Sequence, residues 1–273
     1  MCTVVVSLDP GNPVPLLLLG IRDEFTGRPW QPPARHWPGS PLIGGRDEEA
    51  GGTWLAVHPD VPRVGCILNG RGQFAPPNRR RSRGDLPLRA AAEGPGALAK
   101  LHQDRDTLTW YDPFYLVCAD RSAIQLLGWN GREAALSELG PGTHLLTNAG
   151  HTYRPAADRF SHDKPHDKPH DKPGDQPDDK AVRFGPKFAA TRPSGDPAAS
   201  LAGAWAGWLP LAAGDELPTD EPGAIIVRRE LPDGRVYGST SETLVALAAD
   251  GRLRYDFQPS PPDPAGWYSV RTT

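Results

Sequence analysis

Two apolar runs, Thr3-Val4-Val5-Val6 and Val14-Pro15-Leu16-Leu17-Leu18-Leu19, flank Asp9-Pro10-Gly11-Asn12-Pro13, and no other feature narrows the folds open to this chain as much. Every residue of the intervening cluster is a turn former, so the segment reads as a β-hairpin with a loop longer than two residues. A hairpin symmetric about Asn12 pairs residues whose numbers sum to 24, which sets Cys2 opposite Arg22. Directly opposed residues of an antiparallel pair carry Cβ atoms about 4.5–5.5 Å apart on one face. The Arg22 guanidinium and the Asp23 carboxylate are therefore expected beside the Cys2 thiol. A slip of one residue would put Arg22 on the other face.

The position of Cys2 decides what it can do. Methionine aminopeptidases remove Met1 when the second side chain is as small as a thiol, and the nucleophile then carries its own base. An α-amino group has an ordinary pKa of about 7.7–8.0, so a good fraction is unprotonated near neutrality and able to take the thiol proton. In this arrangement Arg22 stabilises a thiolate and Asp23 holds the terminal ammonium. The plainer alternatives are a small buried core cysteine and a solvated strand-end cluster at Arg22-Asp23-Glu24.

Met1-Cys2, Arg22-Asp23-Glu24-Phe25, Arg28-Pro29, Gly51-Gly52-Thr53-Trp54-Leu55, the strand ending in Asn69, Ser82-Arg83-Gly84 and Thr147-Asn148-Ala149 occur in order along the chain. Together they resemble the NRDE family, the transport and Golgi organization protein 2-like proteins. The resemblance is strong to about Asn148 and looser afterwards. It implies an α+β, N-terminal-nucleophile hydrolase-like fold: an αββα sandwich of two antiparallel sheets flanked by helices, with Cys2 as nucleophile. By analogy with the choloylglycine hydrolase and penicillin V acylase group, Arg22 and Asp23 flank the nucleophile, and Asn69 and Asn148 approach the oxyanion position. An amide donor there can contribute about 2.7–4 kcal/mol. Read on their own, Asn69 before Gly70 is a turn residue and Asn148 ends a strand. No settled reaction comes with the family, whose eukaryotic relatives are linked to Golgi organisation, haem trafficking and lipid or acyl-coenzyme A metabolism.

The chain departs from the family pattern in three places. Ile21 stands where the family has its leading Asn. The stretch Tyr237-Gly238-Ser239-Thr240-Ser241-Glu242-Thr243 supplies hydroxyls where relatives carry an arginine. The third is His162-Asp163-Lys164-Pro165, repeated to Pro173 and then decaying through Asp178-Asp179-Lys180. With no apolar side chain and a proline at every fourth place, this segment can bury nothing and cannot continue a helix. It is expected to be a disordered insert, at about 154–187, in a single domain spanning 1–273. Its regular histidines raise metal binding, but Lys and Asp beside each His favour a mixed-charge linker. The remaining histidines show no ligand spacing, so no metal and no cofactor are expected.

A net charge of -3, from 30 Lys+Arg against 33 Asp+Glu, gives no general pull toward nucleic acid or anionic membrane. Arg79-Arg80-Arg81 with Arg83 is a local exception that suits a phosphate-bearing substrate such as a coenzyme A ester, or is a solvated loop after Pro76-Pro77-Asn78. The three cysteines are too few for a disulfide framework; Cys66 and Cys118 read as core thiols. The N-terminus does not read as a signal peptide, and no stretch is long enough to span a bilayer, so a cytoplasmic protein is expected. Strands are expected at 3–8, 15–21, 53–58, 64–69, 114–120, 123–129, 144–148, 224–229, 243–248 and 253–258, with helices at 85–93, 96–103 and 196–208. Three readings follow: a hydrolase of a non-peptide amide or thioester in a small molecule such as an acyl amide or acyl-coenzyme A, a haem or acyl-group carrier on the same scaffold, and an interaction protein built around the repeat.

Overall fold

The computed structural model describes residues 2–154 and 178–272. Strands β1 (Thr3–Leu8) and β2 (Leu16–Phe25) form the opening hairpin, and their ladder runs from Thr3↔Ile21 to Leu8↔Leu16, the register about Asn12 that the sequence predicts. Strands β3 (Trp30–Ala34), β4 (Ile43–Asp47), β5 (Leu55–His58) and β6 (Arg63–Asn69) follow. Helices α1 (Leu86–Glu93), α2 (Pro95–Gln103) and α3 (Arg105–Leu108) lead to β7 (Phe114–Asp120), β8 (Ile124–Trp129) and β9 (Ala134–Leu139). Then come β10 (Gly142–Thr147), β11 (Gly150–Tyr153), α4 (Asp179–Ala190), α5 (Leu201–Trp205), α6 (Leu209–Ala212), β12 (Arg228–Glu230), β13 (Val236–Leu247), β14 (Leu253–Gln258) and β15 (Tyr268–Ser269).

The strands make two antiparallel sheets, ordered β11-β10-β1-β2-β13-β14-β15, with β12 beside β13, and β3-β4-β5-β6-β7-β8-β9. Alternation along each strand sorts the side chains into layers. Val4, Val6, Leu16, Leu18 and Val245 of the first sheet meet Val57, Val64, Cys66 and Val117 of the second in the central core. The opposite face of the first sheet, with Val5, Leu17, Leu19 and Leu244, is covered by Phe184, Phe188, Trp205 and Trp208 of the later helices and the turn after α5. The outer face of the second sheet packs on Leu86, Leu98 and Leu108 from α1 to α3. The fold is the expected α+β sandwich, sheet on sheet between helical layers.

The C-terminal part of the expected insert is instead folded. Residues 179–187 belong to α4, whose N-cap Asp178 accepts hydrogen bonds from the Lys180 and Ala181 amides. Ala181, Phe184 and Phe188 recur at helical spacing and are buried, which supplies the apolar face that the repeat upstream lacks. The repeat itself, at 155–177, lies outside the described residues. The helix expected at 196–208 is shorter, as α5 and α6, because Pro210 begins a new turn. Strands β3, β4, β9, β11 and β15 were not anticipated; they are short, and several are edge strands with mixed exposure, where apolar alternation is weak.

Two glycine-bearing motifs meet backbone to backbone. The Thr53 amide donates to the Gly84 carbonyl at 2.8 Å, and a Cβ on Gly52 would lie 2.4 Å from the Gly84 carbonyl carbon. Only hydrogen fits there. Gly52→Ala is expected to destabilise the protein by about 1–3 kcal/mol, the usual cost of overpacking, whereas Gly27→Ala, which meets open space, should be near neutral. Urea unfolding of the two variants beside wild type measures this difference.

Candidate functional site

Strand β1 is hydrogen-bonded on both sides, to β2 and to β10, and its last pairs are Thr3↔Ile21 and Thr3↔Thr147. One residue before Thr3, Cys2 lies next to Arg22, and beyond Thr147 the chain turns at Asn148-Ala149 into β11. Cys2 packs against the central core, and together with Arg22 it lines a narrow crevice closed by Gly20, Trp54, Leu55 and Ile67. The crevice holds about 10 Å³, room for a single water. The Cys2 Sγ also approaches the Asp23 carbonyl oxygen at 3.9 Å.

Arg22 is almost wholly buried and fully engaged. Its Nη1 donates to Thr240 Oγ1 at 2.9 Å, and its Nη2 donates to Asp47 Oδ2 at 3.3 Å. The guanidinium also stands 4.6 Å from the centre of the Trp54 ring, a cation–π geometry. Asp47 in turn accepts two hydrogen bonds from Arg28, at 2.6 and 2.9 Å, and one from the Ala50 amide. Burial raises the Asp47 carboxyl, but the bonds from Arg28 and the Ala50 amide and the charge of Arg22 outweigh it, and it lies below its ordinary value.

Asp23 takes the other side of the sheet. Alternation along β2 aims it at the helix layer, where Ser239 donates to Oδ1 at 2.6 Å and Lys180 Nζ stands 3.8 Å from Oδ2. A β-bulge in β13 between Ser239 and Ser241 sets the partners of both residues, since Asp23 pairs with Ser239, Arg22 pairs with Ser241, and Thr240 is the extra residue. The expectation that thiol, guanidinium and carboxylate share one pocket therefore holds for Cys2 and Arg22 and is corrected for the Asp23 side chain. Its backbone reaches the thiol and its carboxylate lies behind the strand. Burial raises the Asp23 carboxyl above its ordinary value, against the opposing pull of Lys180 and Ser239.

The two asparagines part company. Asn148 opens the two-residue turn between β10 and β11, where Thr147 pairs with Gly150, and its Oδ1 is buried with no hydrogen-bond partner. Amide oxygen and nitrogen are assigned from the surrounding network; the flipped amide puts an Nδ2 donor at the same spot. Asn69 is exposed at the end of β6. It shares its strand parity with Gly65, which meets α1, and, like Asn148, it does not line the crevice. The Asn-Gly turn signal describes it better than the oxyanion role.

Cys2 is not a ready-made thiolate. Burial pushes its thiol above the ordinary value, the Asp23 charge adds to this, and the Asp23 backbone hydrogen bond and Arg22 only partly oppose it. Cys66, which also lines the crevice, and Cys118 are buried, and burial raises both thiols, Cys118 to about 12. Sequence reasoning missed Asp47, Thr240 and Lys180. Asp47 has no signal beyond Arg46-Asp47, Thr240 lay in a segment noted only for lacking arginine, and Lys180 was assigned to the insert.

A family model described as Transport and Golgi organisation 2 matches residues 1–168. The chain belongs to this family. That is the assignment the spaced motifs predicted, and the matched span carries Cys2, Arg22, Asp23, Asp47, Trp54 and Asn148. Lys180, Ser239 and Thr240 lie beyond it. No curated protein matches the chain. Among the described residues, no helix is long and apolar enough to cross a membrane, and no group of three or more His, Cys, Asp or Glu side chains is arranged to hold a metal ion.

Glu242 is buried behind the site, and its Oε1 has no hydrogen-bond partner. Burial, with the neighbouring Asp23 charge, raises its carboxyl well above 4.5. The folded state thus binds this proton more tightly than the unfolded chain, so stability falls as pH rises from about 4.5 toward the folded-state value. Glu242→Gln, which cannot ionise, is expected to melt at a higher temperature than wild type at pH 8, with the difference closing as pH falls to 4. Thermal denaturation across that range checks the sign.

Proposed function

We propose that this member of the Transport and Golgi organisation 2 family is a cysteine N-terminal-nucleophile hydrolase of a small molecule, cleaving a non-peptide amide or thioester bond. The observation that carries the reading is that Cys2 and Arg22 line one crevice at the start of β1, with Asn148 in the turn that follows Thr147, the partner of Thr3. Met1 removal frees the Cys2 amine. With a thiol pKa raised by burial, attack proceeds from a thiol that gives up its proton as the carbon–sulfur bond forms, and the amine accepts that proton. The Asn148 amide donates to the developing oxyanion, and Arg22 supplies positive charge beside it. The amine then returns the proton to the leaving nitrogen or sulfur, and water releases the acyl group from Sγ.

Asp23 acts on the amine, and Asp47, Thr240 and Trp54 hold Arg22 in place. A crevice of about 10 Å³ takes no more than a water-sized group, which favours a substrate that presents its acyl carbon at the mouth while its body stays outside. The cytoplasmic setting expected from the sequence is part of the same proposal.

Intact-mass analysis tests the first requirement, and retention of Met1 on the purified protein would sink the proposal. Acyl amides and acyl-coenzyme A thioesters should leave an acyl adduct on residue 2 that is absent in Cys2→Ala. Iodoacetamide should label Cys2 ahead of Cys66 and Cys118, because reactivity follows access and thiolate fraction, and Arg22→Ala should slow that labelling by removing a charge that favours the thiolate. Equal labelling of all three cysteines, unaffected by Arg22→Ala, would leave Cys2 an ordinary strand residue.

A further inference from the structure

Behind Cys2, on the helix face of the first sheet, polar side chains from four adjacent strands form a buried row. Thr147 of β10 pairs with Thr3 of β1, and Asp23 of β2 pairs with Ser239 of β13. The N-terminus of α4 closes over them. Asp178 accepts a hydrogen bond from the Thr147 hydroxyl, and Lys180 Nζ donates to Thr3 Oγ1 at 3.0 Å and to the Ile225 carbonyl at 3.5 Å. Lys180 is only 4 % exposed, and its Nζ lies 3.8 Å from the Asp23 carboxylate.

A lysine in such a place is costly unless an opposite charge compensates it, and the packing of α4 does not call for one, because Ala181, Phe184 and Phe188 already supply the apolar contacts. The titratable groups facing Asp23 are Cys2 from β1, Lys180 from α4 and Glu242 from β13. Besides the N-terminal amine, only Lys180 brings a positive charge to Asp23, and it is the larger of the two influences. Arg22, the neighbouring cation on β2, is turned to the other face and committed to Asp47, Thr240 and Trp54.

We propose that Lys180 is a positioning residue of the Cys2 site, which keeps Asp23 a carboxylate at the foot of β1 so that it can hold the amine of the processed cysteine. The inference rests on the nucleophile reading above and extends it to a residue outside the family-matched span. Lys180 neither gains nor loses a proton during the reaction; the thiol proton moves to the Cys2 amine and on to the leaving group. The C-terminal segment that supplies only hydroxyls fits this division, with Ser239 donating to the same carboxylate.

The test follows the Asp23 carboxyl carbon by NMR against pH, assigned by its disappearance in Asp23→Asn, together with the pH profile of Cys2 alkylation. Lys180→Met should move the Asp23 midpoint to higher pH, as expected on losing a nearby positive charge. Lys180→Arg should restore it. Thr3→Val, which removes only the hydroxyl that anchors Nζ, should shift the midpoint in the same direction by less, and it decides the matter if Lys180→Met does not fold. An Asp23 midpoint unchanged in the folded variants overturns the inference. A wild-type Cys2 no more reactive than Cys66 overturns the nucleophile reading, while the Asp23 titration still tells whether Lys180 governs that carboxylate.

Discussion

Strand β1 is buried along its whole length and hydrogen-bonded on both edges, and the site depends on that double pairing. A buried strand must satisfy every amide and carbonyl through its neighbours, so its register against β2 and β10 cannot slip without turning Val4 and Val6 out of the central core. The residue before the first pair is thereby held in place. Arg22 lies next to it, and the turn that opens at Asn148 follows Thr147, the partner of Thr3, although the two are far apart in the chain.

The two faces of this sheet carry different parts of the chemistry. Toward the second sheet lie the thiol, the guanidinium and the indole of Trp54. Toward the helices lie Asp23, Ser239, Lys180 and Glu242, groups that handle charge behind the strand. Alternation sends consecutive residues of β2 to opposite faces, and the bulge at Thr240 gives each a hydroxyl partner: the inserted residue bonds the guanidinium while the residue before it bonds the carboxylate. A regular ladder would offer Arg22 no such clasp.

The second sheet enters through backbone fit. Gly52 and Gly84 let two loops touch without side chains, and Gly45 leaves room for the Trp54 ring, which a Cβ would meet at 2.3 Å. The family's spaced glycine motifs are thus explained by close approach, and their consequence is to fix Trp54 under Arg22. Arg83, from the same motif, is anchored by a hydrogen bond to the Pro113 carbonyl and adds its charge near Cys2.

The sequence by itself determined the opening hairpin and its register, because turn chemistry and apolar alternation act over a few residues. Its ordered motifs also identified the family, and with it the sandwich. Tertiary structure alone decided what each group meets: the bulge opposite Arg22 arises where two distant strands meet, and no local pattern in β2 announces it. The same holds for Asn69, which lies at the exposed end of its strand, and for Asp47, recruited from the other sheet. Lys180 is the sharpest case. Its neighbours in the chain resemble a solvated linker, and only the docking of α4 on β10 and β1 turns it into a buried cation beside Asp23. Burial and charge pairing are properties of assembled layers, so they become visible only when the layers are in place.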